Sequence, residues 1–210
     1  MARPAPGELD DVETITLPRG VRFPVELDPP PGFDPARLET WPHVEGRLEW
    51  VEGRLLYMPG CGDLQQDTVT DVVATLAFWA RAHPEFVVGT NEAGMHLGKD
   101  ARAADAAVWR RADLGPYTKG FRTVPPVLAV EVTSREEPPK ALREKARWYL
   151  DGGVSVVWVV VPEQREVLLI TREGESRHGR GSGSRRTRSS PTSRRRSTTS
   201  SSRSRGPTEC

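Results

Sequence analysis

At 210 residues the chain has room for one ordinary domain and a remainder, and no internal repeat divides it further. Its formal charge of +1 conceals a split: ten of the thirty basic residues, all Arg, lie between Gly174 and Cys210, which leaves residues 1–173 with 20 basic and 27 acidic side chains, about −7. That balance excludes a uniformly basic nucleic-acid-binding domain, and two lone cysteines, Cys61 and Cys210, exclude a disulfide framework and a CxxC metal site.

Residues 1–40 are rich in proline and acids, with Pro29-Pro30-Pro31-Gly32 at the centre, and hold too few apolar side chains in period for a core. A loosely packed arm is expected there. From Leu48 the pattern changes: Leu48 and Trp50, then Leu55, Leu56 and Met58, flank the turn signal Glu52-Gly53 and predict a β-hairpin. Asp63-Leu64-Gln65-Gln66 has the spacing of a capping box. Val69, Val72, Val73, Leu76 and Ala80 then recur at three- and four-residue intervals, which predicts a helix over about 66–82, closed before Pro84. Three short strands are expected next, near 86–88, 95–97 and 104–109, the last running into a loop over 110–116.

Residues 127–132, Val-Leu-Ala-Val-Glu-Val, are apolar on both faces apart from Glu131, as in a strand buried in the middle of a sheet. Such a carboxylate is costly unless a positive group meets it. Pro138-Pro139 opens a helix to about residue 150, with Leu142, Ala146, Tyr149 and Leu150 as its inward stripe and Asp151-Gly152-Gly153 as its stop. A second buried strand follows over 154–161, and 167–171 is expected to pair with it. Beyond Gly174 the text turns to Ser, Arg, Thr and Gly, a composition that does not offset the entropy of folding. Residues 174–210 therefore read as a disordered tail, open to three explanations: a basic arm binding phosphates without sequence preference, an inert solvated tail, or the product of a reading-frame change in a GC-rich gene.

The chemistry concentrates in a few residues. Lys145 lies three residues after Leu142 and four before Tyr149, at the edge of the inward stripe, so its ammonium reaches the sheet beneath. That sheet presents Asp105 and, in the next long strand, Glu131. Two carboxylates on neighbouring strands under a lysine make an oxygen-ligand site for Mg²⁺ or Mn²⁺. A plainer reading stays open at each position: Asp105 as a strand-end turn residue, and Glu131 with Lys145 as a structural ion pair. His43, His83, His96 and His178 show no zinc-ligand spacing, Trp148 and Tyr149 read as packing residues, and no phosphate loop, nucleophile elbow or dinucleotide fingerprint occurs.

Glu49-Trp50-Val51-Glu52-Gly53-Arg54-Leu55, Ala104-Asp105, Glu131-Val132-Thr133-Ser134, Arg143-Glu144-Lys145 through Tyr149, Gly152-Gly153-Val154 and Val157-Trp158-Val159-Val160 together resemble, in order and spacing, the Uma2 family of the PD-(D/E)XK nuclease superfamily. The likeness covers about residues 40–171. It implies that Asp105 and Glu131 are metal ligands, that Glu49 is an accessory acid, and that Lys145 supplies the lysine which the superfamily usually carries two residues after the second acid, where Thr133 stands here. Ala104 replaces a proline common before the first aspartate, and Gln66 stands where many members have histidine.

The fold expected is α+β: a mixed central sheet flanked by helices, with a restriction-endonuclease-like core over residues 41–173. The function expected is Mg²⁺- or Mn²⁺-dependent hydrolysis of DNA phosphodiester bonds. The alternatives are a nucleic-acid-binding or regulatory module that no longer cleaves, and a truncated or frameshifted product without function. The N-terminus lacks a signal-like apolar stretch and the longest apolar run, Val156 to Val161, cannot cross a bilayer, so a cytoplasmic protein with DNA as partner is expected, with a homodimer as an option for double-strand cutting.

Overall fold

The computed structural model describes residues 20–21, 23–133, 139–179 and 185–186. Among the described residues ten strands form one mixed sheet: β1 (Val25–Leu27), β2 (Arg47–Val51), β3 (Arg54–Met58), β4 (Phe86–Leu97), β5 (Asp100–Arg110), β6 (Leu128–Val132), β7 (Val156–Val161), β8 (Glu166–Thr171), β9 (Gly174–Gly179) and β10 (Arg185–Arg186). Two helices, α1 (Asp63–Arg81) and α2 (Pro139–Asp151), cover it. All pairings are antiparallel except β6 with β7, which run parallel because α2 carries the chain back over the sheet between them.

The expected hairpin is β2–β3, with Trp50 opposite Leu55 and Val51 opposite Arg54. Glu52 and Gly53 both take positive φ, 52° and 81°, which is the type I′ geometry whose twist matches that of the flanking strands. The stop of α2 also follows the expected chemistry, with Gly153 at φ 101° and its N–H on the carbonyl of Leu150.

Four expectations need correction. No capping box forms at α1: Gly62 is the N-cap and makes no side-chain bond, the Asp63 carboxylate accepts from the neighbouring Leu64 N–H, and the Gln66 amide donates to the Cys61 carbonyl, so the helix starts three residues early. Residues 86–88 and 95–97 are not separate strands but the two ends of β4, which stays in register with β5 past Gly94 and is broken only by a bulge between Thr90 and Ala93. Part of the expected N-terminal arm belongs to the fold: β1 extends the sheet beside β3, and the Phe33 ring packs 5.4 Å from that of Trp41 and 5.0 Å from that of Trp50. Backbone pairing and isolated aromatic rings hold this stretch, and neither leaves a periodic signal. The sheet likewise runs past residue 173, since β9 pairs with β8 along six residues from Glu166–Gly179 to Thr171–Gly174. A polar strand at a sheet border needs backbone partners more than apolar side chains. Residues 1–19 and 187–210 lie outside the described residues.

The core lies on both faces of β5, β6 and β7. On one face Ala146, Tyr149 and Leu150 of α2 pack on Met95, Ala107, Trp109, Ala129, Val157 and Val159. On the other, Leu76 of α1, with Val69, Val72 and Val73 at its border, packs on Ala106, Val108, Val130, Val132 and Val160. The alternation of 129 and 131 against 130 and 132 is that of a central strand, and it turns Glu131 toward α2.

β5 organises the rest. β4 occupies one of its edges from Phe86 to Leu97. The other edge is shared: β6 pairs with Ala106 to Val108, and β2 pairs at Ala101. The end of β6 and the start of β2 therefore meet beside the stretch 102–105, a seam where the backbone ladder of that edge is interrupted. The two positions of β4 between Thr90 and Ala93 lie opposite the single residue Asp105. A bulge of this kind re-aims the side chain it faces.

Candidate active site

Charged side chains from four elements fill the seam. Continuing the registers of β2 and β6 by one residue puts Glu49 opposite Arg102 and Glu131 opposite Asp105. Lys145 Nζ donates to Glu131 Oε2 at 2.7 Å and lies 3.6 Å from Glu49 Oε1. The Tyr149 hydroxyl, one turn further along α2, donates to Glu131 Oε1 at 2.5 Å. Arg102 Nη1 donates to Glu49 Oε2 at 3.2 Å. Arg47 sits between the acids, with Nη1 3.7 Å from Asp105 Oδ1 and Nε 3.8 Å from Glu49 Oε1. Asp105 Oδ2 accepts the backbone N–H of Val132 at 2.6 Å, so the carboxylate takes up a donor that the interrupted ladder leaves over.

All four residues expected at the site are thus gathered there. Glu49, Glu131 and Lys145 are 2, 6 and 7% exposed, a depth at which charges persist only when paired. Lys140 points away, exposed and beside Glu144. Arg102 and Asp105 are three residues apart, and a regular strand would turn them to opposite faces; their convergence on one cluster fits the irregularity opposite Asp105.

Burial pushes the Glu131 carboxyl up to about 7 even though Lys145 pulls the other way. Burial also acts against Glu49, but Lys145, Arg47 and Arg102 together hold its carboxyl below the usual range. For Lys145, burial disfavours the ammonium, and the Glu131 and Glu49 charges more than offset that, raising its pKa. Burial and the Glu131 charge drive the Tyr149 phenol well above its ordinary value, so its proton stays in place to be donated.

The donors at the seam are carboxylate oxygens, the set that a hard divalent cation takes. Glu49 Oε1 is buried without a hydrogen-bond donor, and Asp105 Oδ1 faces only the Arg47 guanidinium at 3.7 Å among the described residues. Both are oxygens with coordination capacity to spare. Among the described residues no three His, Cys, Asp or Glu side chains close on one point as a complete protein cage. The arrangement suits a cation that keeps waters, as Mg²⁺ does.

Sequence reasoning missed Arg47, Arg102 and the second role of Tyr149. Arg47 is two residues before Glu49 and hence on its face of β2, a period-two signal open to inspection. A fully buried tyrosine four residues after Lys145 needs a partner for its hydroxyl, which was the available clue to Tyr149. Arg102 had no such clue. Behind it, the Trp148 ring lies 5.2 Å from its guanidinium, and Trp148 Nε1 donates to the buried Asp100 at 3.0 Å.

A mixed sheet clad by a helix on each face, with acids on adjacent strands beneath a helix-borne lysine, is a restriction-endonuclease-like fold. The profile of the Uma2 family, described as a putative restriction endonuclease, matches residues 35–192. The chain belongs to the Uma2 family. Its fold is similar to a crystal structure described as a putative nuclease belonging to DUF820 from Anabaena variabilis ATCC 29413, with a TM-score of 0.61 at 14% identity over 68% of this chain and 82% of that one. No curated protein matches the chain. Among the described residues no helix is long and apolar enough to cross a membrane.

Proposed function

We propose that this protein is a Mg²⁺- or Mn²⁺-dependent endonuclease that hydrolyses phosphodiester bonds in DNA. The observation that carries the reading is the buried Lys145–Glu131 pair at 2.7 Å beside Asp105, at the seam where β2 and β6 meet along one edge of β5. Asp105 and Glu131 are the residues that would hold the metal. When bound, the metal supplies Lewis-acid polarisation of a phosphate oxygen and lowers the pKa of a coordinated water. Lys145, held in its charged form, orients the attacking water or offsets negative charge gathering on the phosphate in the transition state. Glu49 acts as the accessory acid by fixing the ammonium from its second side. Tyr149 fixes the Glu131 carboxylate in turn.

Plasmid nicking tests the reading. It is expected to require Mg²⁺ or Mn²⁺ and to vanish in Asp105→Ala and in Glu131→Ala. A second reading, a module that binds nucleic acid without cleaving it, draws on the fact that three carboxylates already face three cations in the cluster. Tight DNA binding unaffected by both substitutions, with no nicking, would favour it. The exposed thiol of Cys61 suits a reducing cytoplasm. Cutting both strands with one such site calls for two copies of the chain, as a homodimer on DNA, or for two successive nicks.

A further inference from the structure

We propose that Arg47 is an internal competitor for the metal: its guanidinium lies between Asp105 and Glu49 and competes with a divalent cation for these carboxylates. The inference rests on the reading of Asp105 and Glu131 as metal ligands and adds to it a residue that sets the affinity of the site.

Three observations support it. The first is position. Arg47 begins β2 at the seam, its side chain 17% exposed, with Asp105 on one side at 3.7 Å and Glu49 on the other at 3.8 Å. These are the two acids whose free oxygens give the cluster its spare coordination capacity. The second is bonding. A guanidinium has five N–H donors, yet Arg47 hydrogen-bonds neither carboxylate. Its Nε is buried without a hydrogen-bond partner, as is that of Arg102, and Nη2 has only the Met58 sulfur, a weak acceptor, at 3.4 Å. Charge, and not directional bonding, keeps it there. Lys145 differs, with its 2.7 Å bond to Glu131, as does Arg102, with its 3.2 Å bond to Glu49 and the Trp148 ring against its guanidinium.

The third is charge balance. Glu49, Asp105 and Glu131 face Arg47, Arg102 and Lys145. With all three carboxylates ionised the cluster is neutral, and a dication entering it adds two positive charges, one of which is relieved when a cation moves away. Arg47 is the one cation of the three whose single hydrogen bond goes to a sulfur and not to an acid of the cluster, so it moves at least cost.

Mn²⁺ binding to the full-length protein, measured by titration calorimetry without DNA, tests the idea apart from activity. Arg47→Met is expected to bind Mn²⁺ about tenfold or more tightly than wild type, because it removes a positive charge from beside the ligands. Arg47→Lys, which keeps the charge, is expected to stay within about threefold of wild type. If Arg47→Met fails to show a cooperative melting transition, Arg47→Gln is read in its place with the same expectation. Mn²⁺ binding that is equal or weaker in the neutral variant overturns the proposal while leaving the metal site intact. An equal gain in Arg102→Met overturns it as well, since the effect would then be net charge alone. Absence of Mn²⁺ binding in wild type and neutral variant alike overturns both the proposal and the metal reading beneath it.

Discussion

Lys145 Nζ donates to Glu131 Oε2 at 2.7 Å across the boundary between α2 and the sheet, and the same lysine faces Glu49 at 3.6 Å. One ammonium therefore ties a helix to two strands, β2 and β6, that share one edge of β5. Removing it leaves Glu131 and Glu49 buried without that partner. Lys145→Met is expected to lower nicking on the order of 100-fold and to destabilise the fold by about 3 kcal/mol at neutral to alkaline pH. The stability loss should shrink in acid, where Glu131 can take up a proton instead. Thermal melts of the two proteins across pH, beside a nicking assay, check both parts.

Asp105 separates structure from chemistry. Its Oδ2 accepts the Val132 N–H at 2.6 Å, and an asparagine amide oxygen can accept the same bond. Asp105→Asn is therefore expected to melt within about 1 kcal/mol of wild type while losing metal-dependent nicking by on the order of 100-fold or more. A variant that unfolds would assign Asp105 a purely structural role.

Tyr149 gives a finer perturbation. Tyr149→Phe keeps the ring that packs in the core and deletes the hydroxyl on Glu131 Oε1. We expect a stability cost of about 1–3 kcal/mol and nicking reduced about tenfold, because the Glu131 carboxylate loses one of its two fixed orientations. Unchanged nicking with reduced stability would show that the hydroxyl serves folding alone.

Glu131 predicts a pH dependence of stability in metal-free protein. Burial raises its carboxyl from 4.5 to about 7, so the folded state holds this proton more tightly than the unfolded one. Its contribution to stability is then complete below about 4.5 and is lost as pH rises toward about 7. Glu131→Gln lacks the group that titrates. With chelator present, wild type should lose melting temperature relative to Glu131→Gln as pH rises through that window. Melting curves that keep a constant separation would contradict the raised carboxyl.

The limit of the fold predicts a difference between truncations. Chains ending at residue 173 lose β9, whose backbone pairs with β8 over six residues. Chains ending at residue 186 retain it. The shorter protein is expected to melt several degrees lower, roughly 1–2 kcal/mol at the midpoint, and equal melting temperatures would place the fold boundary back at Glu173.

How far the site could be read in advance differs from residue to residue. Glu131 stood out because a lone carboxylate in an apolar strand needs an opposite charge, and Lys145 because its helical phase turns it toward the sheet. Asp105 could be paired with Glu131 on a neighbouring strand but is ordinary by itself, and Glu49, a glutamate before a hairpin turn, needed the Uma2 resemblance. Arg47 offered only its shared strand face with Glu49, and Arg102 offered nothing. They look like surface arginines until two strands are laid against one edge of β5, and their burial is a property of that seam.

The sequence alone determined what local physics records. Apolar period settled the hairpin, both helices and the two buried strands, and the φ demands of Glu52-Gly53 and Gly152-Gly153 settled where the chain turns. The tertiary structure alone decided which strands share β5, that β1 and the polar β9 join the sheet, and that Arg47 and Arg102 join the acids and Lys145 in one cluster. Side-chain period reports the surroundings of each segment along its own axis, whereas pairing between distant strands is made by backbone groups common to every residue and leaves no such trace.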